Sequence, residues 1–493
     1  MRKCNFTLVL IYVLIFLGCK QHGEKTDEKL PATSKPNIVY ILADDLGYGD
    51  LSIYGQKRFR TPNIDKLAKQ GLLFTQHYSG STVCAPSRSA LMTGMHTGHT
   101  PIRGNKSNAE EGQFPIKEEA LTVAEVLKQA GYATGAFGKW GLGFIGTEGD
   151  PNKQGFDQFY GYNCQGQAHR YYPTHLWDND QKVVLDGNDT KNTVLYAPDL
   201  IHRKALDFIK SNAGRPFFLY VPSVIPHAEL IVPKDSIWET FENTFEEKPW
   251  GENNSSGSRW KGNDYGSDDY HPKGYASQEK PRATFAAMVS RLDRQIGEIV
   301  QLLDQLGIAE NTLVIFTSDN GPHMEGGADP DFFNSSGIVR GRKRDLYEGG
   351  IRVPMIAKWH GTIEPNRKTH HISAFWDILP TLAELVGAEI PENIDGISMI
   401  LTLKNTNGQQ KHKHLYWEFH EQNGKQAVRL NDWKGVRLNV YDNPDAPIEL
   451  YDLSKDVKEL HNVAGEHPEI VSEMEALMKS SRTDNPDFPF TGN

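Results

Sequence analysis

The sequence predicts an α/β protein with a doubly wound, mostly parallel sheet flanked by helices, followed by a small C-terminal α+β subdomain. Runs of β-branched and aromatic residues alternate with stretches of helical periodicity through most of the chain, which is the pattern of consecutive βαβ units. Polar, glycine-containing loops directly follow two of the apolar runs, and from about Lys411 the runs become short and strand-like. The 493 residues, 38% hydrophobic and 24% charged, suffice for one large domain or two smaller ones.

The first half of the chain establishes the alternation of strands and helices. An almost wholly apolar run over Asn37–Ala43 is typical of a buried parallel strand. Thr122 and Glu125 form a capping-box pattern that opens a helix, and Gly131 ends this helix before the next strand. The strand pattern returns over 217–224.

The second half continues the alternation with a longer helix. Apolar residues recur at helical spacing over 285–303, and Gly307 ends the helix before a predicted strand over 312–316. A further strand is predicted over 351–359 and a further helix over 377–386.

A change of character near the end of the chain predicts two domains, over 36–405 and 406–493. The second contains strand-like runs over 415–419 and 436–440, followed by a helix over 468–478. We therefore expect a small antiparallel sheet with one helix.

The segment 238–280 has no periodicity and is rich in Gly, Asn, Ser, Asp and aromatic residues. It is too long for an ordinary connection, and such loops often line binding sites. The alternative is a disordered surface insertion.

The N-terminus has the pattern of an export signal. Residues 1–18 contain two basic residues and an apolar run over 6–17 that is too short to span a membrane comfortably, which predicts a signal peptide. The ending Phe-Leu-Gly-Cys19 resembles the lipobox of bacterial lipoproteins. It predicts lipidation of Cys19, a polar linker over 19–35, and a location in the periplasm or outer membrane of a Gram-negative bacterium. The alternatives are an ordinary cleaved signal or an uncleaved anchor.

The net charge argues against one class of binding partner, and the cysteine content argues against disulfide bonds. Without the leader the chain has 51 basic and 63 acidic residues, a net charge of −12, which argues against nucleic acid. An anionic substrate then requires a local basic pocket. Of the four cysteines, Cys4 belongs to the leader and Cys19 to the lipobox; Cys84 lies in the motif described next, so only Cys164 is left over and no disulfide framework is predicted.

The most informative motif is the run Ser-Thr-Val-Cys84-Ala-Pro86-Ser-Arg88-Ser-Ala-Leu-Met-Thr-Gly94. Pro86 suits the first turn of a helix and Gly94 suits its end. Cys84 is therefore predicted near a helix N-terminus, where an anionic oxygen is favoured. The alternative is a buried cysteine before a capped helix.

Four oxygen-bearing side chains follow predicted strands. Asp44 and Asp45 follow the first strand, and Asp319 and Asn320 follow the strand over 312–316. Functional groups commonly lie at the carboxyl ends of parallel strands. Carboxylates with an amide carbonyl suit a hard cation such as calcium, whereas simple turn formation is the alternative.

The Cys-x-Pro-x-Arg pattern, with its Ser-Ala-Leu-Met-Thr-Gly continuation, resembles the signature of type I, formylglycine-dependent sulfatases. The resemblance covers most of residues 36–390. It points to an arylsulfatase-like carbohydrate sulfatase with the alkaline-phosphatase-like fold. In this family a maturation enzyme oxidises the cysteine to formylglycine, whose hydrate attacks sulfur with one hydroxyl and expels sulfate through the other.

The resemblance also implies roles for single residues. Arg88 steadies the formylglycine oxygen, and Lys139 and Lys343 hold sulfate oxygens. His227 protonates the departing alcohol. The calcium ligands it implies are Asp44, Asp45, Asp319, Asn320 and the modified Cys84.

One position departs from the family pattern. Members often have histidine where this chain has Gly141, and that histidine contacts the hydrate. The base for sulfate release is therefore unassigned between Asp319, His323 and a histidine in the 160s to 170s.

The segment 165–177 combines aromatic, basic and imidazole side chains, a mixture that stacks on sugar rings and binds hydroxyls. It predicts a carbohydrate subsite, and the alternative is a half-buried aromatic loop with incidental histidines. The predicted substrate-binding residues are His169, Arg170 and His175, with Arg103 and Asn105 from the segment after the signature helix.

Two other functions compete with sulfate-ester hydrolysis. A phosphomonoesterase or phosphodiesterase of the same fold normally uses serine or threonine with two zinc ions, but Asn320 stands where a histidine ligand is expected. The second competitor is a non-catalytic, surface-anchored glycan-binding protein. The lipoprotein leader together with the sulfatase motifs resembles the exported enzymes with which bacteria desulfate glycans.

Overall fold

The computed structural model describes Met1 and residues 35–109, 111–251 and 264–490. The predicted signal peptide after Met1, the lipidation site Cys19 and the linker up to residue 34 lie outside the described residues. Residues Lys35–Asn493 form one compact unit, and the boundary at 405/406 stays a prediction. None of the helices in the described part of the chain has the length and apolarity needed to cross a membrane.

The described residues form two sheets and the helices around them. The strands are β1 Asn37–Ala43, β2 Leu72–Tyr78, β3 Ala133–Lys139, β4 Gln158–Tyr162, β5 His175–Asp178, β6 Gln181–Val184, β7 Phe217–Pro222, β8 Thr312–Ser318, β9 Arg352–Lys358, β10 Arg367–Thr369, β11 Ser373–Ala374, β12 Leu415–Phe419, β13 Lys425–Leu430, β14 Trp433–Leu438 and β15 Ile448–Asp452. The α-helices are α1 Pro62–Lys69, α2 Cys84–Thr93, α3 Val123–Gln129, α4 Ala197–Asn212, α5 Ser236–Phe241, α6 Pro281–Gln305, α7 Pro330–Phe333, α8 Glu348–Ile351, α9 Ile378–Val386, α10 Ile400–Leu403 and α11 Pro468–Ser480.

The large sheet is mixed and mostly parallel, as predicted. Its strand order is β10-β2-β9-β8-β1-β7-β3-β4-β5-β6, with β11 paired to β2. The centre from β8 to β4 is parallel. Antiparallel pairs occur where β9 joins β8 and β2, and where β5 and β6 extend the far edge.

Both faces of this sheet are buried, because the side chains of β1 alternate between two cores. Val39 and Ile41 pack with residues of α1, α4 and α6 on one face. Ile38 and Tyr40 pack with residues of α2, α3 and α9 on the other. This arrangement confirms the predicted doubly wound α/β class and explains why β1 is a continuous apolar run.

The sheet brings the two acidic motifs together. Strands β1 and β8 are parallel neighbours, and Ala43 pairs with Ser318 in their register. The residues that follow these strands therefore meet at one edge. Strand β3 ends at this same edge with Lys139.

The C-terminal sheet is antiparallel in the order β12-β13-β14-β15, and α11 packs on it through Met474 and Met478. The predicted C-terminal subdomain is therefore confirmed. Its strand β14 begins at residue 433, three residues before the predicted strand over 436–440. The other face of the sheet packs against the large sheet's domain: Trp417 Nε1 donates to the Ser79 carbonyl oxygen at 3.0 Å.

The long aperiodic segment has no strand or α-helix among its described residues after α5. Its end packs into the protein, where Tyr275 is 4% exposed and contacts the ring of His169. This contact favours the interpretation that the segment lines a site over the interpretation as a surface insertion.

Candidate active site

Cys84 is the first residue of α2, directly after the extended Val83. The predicted helix is confirmed, with Pro86 in its first turn and Gly94 as its C-cap at φ +70°, a conformation that favours glycine. Every residue of α2 is buried, and Cys84 is 3% exposed. The Ala85 N–H, in the first turn, donates to Asn105 Oδ1 at 3.1 Å.

Charged side chains from three strand ends surround Cys84. Its Sγ lies 3.4 Å from Asp44 Oδ1 and 3.4 Å from Lys139 Nζ. Lys139 Nζ donates to Asp44 Oδ2 at 2.6 Å. Arg88, one turn along α2, donates to Asp319 Oδ2 at 2.9 and 3.2 Å and to the carbonyl oxygen of Lys139.

Asp45 joins the remaining predicted residues to this cluster. Lys343 Nζ lies 2.7 Å from Asp45 Oδ2 and 3.1 Å from His227 Nε2. Asn320 Nδ2 donates to Asp45 Oδ1 at 2.7 Å, and the Asp45 N–H donates to Asp319 Oδ1 at 3.0 Å. The structure therefore places all five predicted metal ligands and all five predicted catalytic residues in one cluster.

Electrostatics divide the three carboxylates into two kinds. Burial alone would raise the pKa of Asp44, but Lys139 and Arg88 lower it to about 2. Burial likewise opposes ionisation of Asp45, and Lys343 and His227 lower its pKa. Burial and the charge of Asp44 raise the pKa of Asp319 to about 7. Three neighbouring carboxyl groups thus oppose one another's ionisation although Arg88 pairs with Asp319, and an added cation would favour their charged forms.

An unpaired acceptor also suits a cation. Asn320 Oδ1 is buried and has no hydrogen-bond partner in the described part of the chain, whereas buried polar atoms are normally paired. Ligand atoms of Asp44, Asp45, Cys84 and His227 lie within 4.8 Å of one another. Carboxylate and amide oxygens are ligands that a hard cation prefers, so these residues fit a metal site.

His227 lies in a stack of three imidazole rings. His169 lies on one side with ring centroids 5.1 Å apart, and His323 lies on the other at 5.7 Å. His227 Nδ1 donates to the Ala228 carbonyl oxygen, which leaves Nε2 to accept from Lys343. Burial and the charge of Lys343 lower the pKa of His227 well below its usual value.

Comparison with known proteins identifies the family. The family model described as Sulfatase matches residues 36–388. The chain belongs to the sulfatase family. A second model, described as N-sulphoglucosamine sulphohydrolase, C-terminal, matches residues 341–484. The protein is thus a sulfuric ester hydrolase of the alkaline phosphatase superfamily, as the sequence motifs predicted.

Individual relatives support the same assignment for this sulfatase along most of its length. The N-acetylgalactosamine-6-O-sulfatase of Bacteroides thetaiotaomicron is 31% identical, over 96% of this chain and 97% of that protein. Arylsulfatase A of Homo sapiens is 32% identical, over 91% of this chain and 88% of that protein. The crystal structure of Ps i-CgsB in complex with k-i-k-neocarrahexaose superimposes with a TM-score of 0.74 at 28% identity, covering 93% of this chain and 95% of that chain.

The predicted substrate-binding residues of the sulfatase do not all lie at an accessible surface. Asn105 lies beside α2 and is exposed. Arg103 instead points into the protein: Nη1 donates to Glu418 Oε1 at 3.1 Å and to the Thr483 carbonyl oxygen at 2.7 Å, and the residue is 2% exposed. This geometry corrects the prediction for Arg103, which connects the C-terminal sheet to the catalytic domain.

The segment 165–177 borders a cavity of about 520 Å³. His175 binds Glu111 Oε1 at 2.8 Å. Arg170 is 1% exposed and donates to Glu229 Oε2 at 2.6 Å. Residues lining the cavity include Glu111, Arg170, His175, Lys182, Tyr270 and Lys273.

Each candidate base for sulfate release has a partner. Asp319 binds Arg88, and His323 Nε2 binds the Pro226 carbonyl oxygen at 3.0 Å. His169 Nδ1 binds the Lys273 carbonyl oxygen at 2.8 Å. The geometry therefore leaves the choice between them open.

Glu325 is a further charged residue at this site that no sequence motif indicated. Its carboxylate lies 3.8 Å from Lys343 Nζ and 3.3 Å from His323 Nδ1, and it pairs with Arg344. It lies in a short turn without a motif, so the sequence contains no signal that distinguishes it from other acidic loop residues.

Proposed function

We propose that this sulfatase hydrolyses sulfate esters of carbohydrates, with formylglycine formed from Cys84 as the nucleophile and a calcium ion as cofactor. One observation supports this proposal most strongly. Cys84 Sγ lies 3.4 Å from both an aspartate oxygen and a lysine nitrogen, at the N-terminus of a buried helix. A cysteine with only a packing role does not require buried charges around it.

Cys84 Sγ marks the place that an oxygen takes after oxidation of the side chain. The hydrated aldehyde supplies one hydroxyl to attack sulfur and a second whose deprotonation releases sulfate. Lys139 Nζ lies 3.4 Å from Cys84 Sγ and binds Asp44, and Lys343 Nζ binds the adjacent Asp45. They are arranged to bind two oxygens of an anionic sulfate group, and Arg88 fixes the backbone of Lys139.

The cation would be held by Asp44, Asp45, Asp319 and Asn320. The all-oxygen set favours calcium over zinc, which prefers nitrogen and sulfur ligands. A bound calcium ion supplies Lewis acidity, which polarises the sulfate group and lowers the pKa of the nucleophile.

His227 and Lys343 provide the proton for the departing alcohol. Lys343 donates to His227 Nε2 at 3.1 Å, so the proton lies between two groups that face the reacting position. Transfer from this pair to the alcohol oxygen neutralises the alkoxide as the bond to sulfur breaks. Because His227 Nδ1 binds the Ala228 carbonyl oxygen, the ring keeps Nε2 directed at Lys343.

A carbohydrate substrate agrees with the names of the relatives and with the cavity beside 165–177. Imidazole, aromatic and ammonium groups from His175, Tyr270, Lys182 and Lys273 line this cavity. Such groups bind sugar hydroxyls, ring faces and anionic substituents. We place the remainder of the glycan there.

Export and maturation are further parts of the proposal. The leader over 1–18 and the lipobox cysteine Cys19 support an exported lipoprotein of the periplasm or outer membrane. Formation of formylglycine makes a maturation enzyme an obligatory partner. Both rest on sequence motifs.

The deciding experiment combines mass analysis with turnover. We expect protein from a maturation-competent host to contain formylglycine at position 84 and to hydrolyse 4-nitrophenyl sulfate and N-acetylgalactosamine 6-sulfate. Cys84→Ala and Cys84→Ser should abolish both activities, and chelation should remove activity that calcium restores and zinc does not. Unmodified cysteine in an active enzyme, or turnover by Cys84→Ala, contradicts the proposal. Sulfated galactose and N-acetylglucosamine isomers then define the preferred sugar.

A further inference from the structure

The side chain of Gln165 occupies the space beside Gly141. Gly141 has φ +79°, and a Cβ built on it would lie 2.1 Å from Gln165 Nε2 and 3.0 Å from Gln165 Cδ. Because Nε2 is the far end of a flexible side chain, any residue larger than glycine at position 141 would displace the amide. The two positions therefore compete for one volume.

The backbone fixes this volume next to the catalytic cluster. Beyond the parallel pair β3 and β4, the Gly141 N–H donates to the Asn163 carbonyl oxygen at 3.0 Å. Gly141 lies two residues after Lys139, whose Nζ is 3.4 Å from Cys84 Sγ. Gln165 likewise lies two residues after Asn163.

A second chain of contacts leads from Gln165 to the residue after Cys84. The Gln165 N–H donates to Gln113 Oε1 at 3.2 Å, and Gln113 Nε2 donates to the Lys106 carbonyl oxygen at 2.9 Å. The neighbouring Asn105 accepts the Ala85 N–H. Gln165 is thus held between two segments that contact the cysteine or its neighbour.

The Gln165 amide is buried and has no partner. Neither Nε2 nor Oε1 makes a hydrogen bond within the described residues, and the residue is 9% exposed. Asn163 Oδ1 and Gln167 Oε1, two residues to either side, are also buried without partners. Unpaired buried polar groups are unfavourable, and three in one five-residue segment indicate a surface prepared for a polar ligand.

We propose that the Gln165 amide is a substrate-contacting residue of this sulfatase, which hydrogen-bonds the sulfated sugar beside Gly141. This inference rests on the proposed function of residue 84. A carboxamide offers two donors and an acceptor but does not exchange a proton near neutral pH. Gln165 therefore binds and orients substrate, and it does not serve as the base for sulfate release.

The first test is Gln165→Met, which keeps the length of the side chain and removes both polar atoms. We expect kcat/KM for N-acetylgalactosamine 6-sulfate to fall about tenfold or more, mainly through KM, because the substrate loses its hydrogen bonds. The Tm should equal or exceed that of the wild type, because two unpaired buried polar atoms are removed. A residue with a packing role would show the opposite, a lower Tm with KM unchanged.

The second test uses two glycines with similar backbones. Gly141→Ala and Gly146→Ala both place a Cβ at positive φ, +79° and +85°, but Gly146 has open space around it. Both variants should therefore lose similar stability. Only Gly141→Ala displaces the Gln165 amide, so only it should lower kcat/KM about tenfold. In the double variant with Gly141→Ala and Gln165→Met, kcat/KM should fall no further than in either single variant.

Measuring substrate binding distinguishes an error in the role of Gln165 from an error in the proposed function. In a Cys84→Ala background, calorimetry with N-acetylgalactosamine 6-sulfate should show about tenfold weaker binding when Gln165→Met is added. Wild-type kcat/KM and wild-type binding for the Gln165→Met variants would overturn the role of Gln165 alone. A wild-type protein, mass-verified at position 84, that neither binds nor hydrolyses the sulfated probes would overturn the proposed function together with it.

Discussion

Single residues in this sulfatase obtain their chemistry from partners that are far away in the sequence. Lys343 and His227 are 116 residues apart, yet their nitrogens lie 3.1 Å from each other. Lys343 also contacts Asp45 at 2.7 Å. The proposed proton donor is therefore positioned by three segments of the fold together.

Replacing His227 by alanine tests its part, together with Lys343, in protonating the departing alcohol. Sugar alkoxides leave poorly without protonation, whereas 4-nitrophenolate leaves readily. We therefore expect His227→Ala to lower kcat for N-acetylgalactosamine 6-sulfate by about 10²–10⁴-fold and kcat for 4-nitrophenyl sulfate by about tenfold or less. Steady-state kinetics on both substrates measures the difference.

His202→Ala is a suitable control, because His202 is also a buried histidine but pairs with Glu298 on α6. It should change neither kcat. If His227→Ala lowered kcat equally for the two substrates, His227 would position other residues and take no part in the proton transfer.

Motifs identified the residues that lie next to strand ends or within short sequence patterns. Asp44 and Asp319 were predicted together because an apolar run precedes each, and they meet in the structure because β1 and β8 are parallel neighbours. Arg103 was misassigned because its partner Glu418 is 315 residues away, a distance over which the sequence contains no pairing signal. Gln165 and Glu325 lie in loops without periodicity, so only the folded chain shows their position.

The element that matters most for the proposed mechanism is α2, because it positions Cys84. Its first turn has N–H groups without helical partners, and Asn105 Oδ1 accepts one of them from Ala85. Asn105 thus stabilises the end of the helix from another segment. The hydrogen bond lies one residue from the proposed nucleophile.

Asn105→Ala should remove this cap and reduce the free energy of unfolding by about 1 kcal/mol. Asn105→Asp keeps the acceptor and should preserve stability. It also adds a negative charge near the sulfate position, so its KM for sulfated substrates should rise. Urea denaturation and steady-state kinetics measure the two effects. An alanine variant as stable as the wild type would show that the contact contributes nothing.

Strands were predictable where burial on both faces makes them continuously apolar. This applies to β1, β7, β8 and β9, each fully buried. Strands β2, β5 and β6 were not predicted. They contain polar residues, as in Leu-Leu-Phe-Thr-Gln-His-Tyr of β2, and they lie towards the edges of the sheet, where pairing with distant segments decides their structure.

At the scale of the whole molecule, buried charges connect the C-terminal sheet to the catalytic domain. Lys434 Nζ on β14 lies 3.1 Å from Glu348 Oε1 at the start of α8 and 3.6 Å from Glu459 Oε1. The Glu348 N–H donates to Glu459 Oε2 at 2.7 Å. One lysine thus faces two carboxyl groups, and all three side chains are fully buried.

This shared lysine makes stability depend on pH. Burial raises the pKa of Glu459 to about 7, with Glu348 adding to the increase and Lys434 opposing it. A folded-state pKa above the unfolded value of about 4.3 means that protonated Glu459 stabilises the fold. This stabilisation is complete below about pH 4.3 and is lost as the pH rises through about 7.

Glu459→Gln, which is neutral at every pH, should therefore reduce the loss of stability between pH 5 and 8, by an amount on the order of 2 kcal/mol. Urea denaturation at four pH values in this range measures the slope. The exposed Glu466 gives a control, since Glu466→Gln should leave the slope unchanged. A Glu459→Gln slope equal to that of the wild type would exclude Glu459 as the source.

The burial of Cys84 determines when an enzyme can modify this side chain, relative to folding. With 3% of its surface exposed and the whole of α2 enclosed, no other enzyme reaches its sulfur once the chain is folded. Any enzymatic oxidation at this position has to happen on the nascent or still-extended polypeptide. Under the proposed mechanism, a molecule that misses that interval stays inactive for as long as it remains folded, so the specific activity of a preparation would be fixed during synthesis.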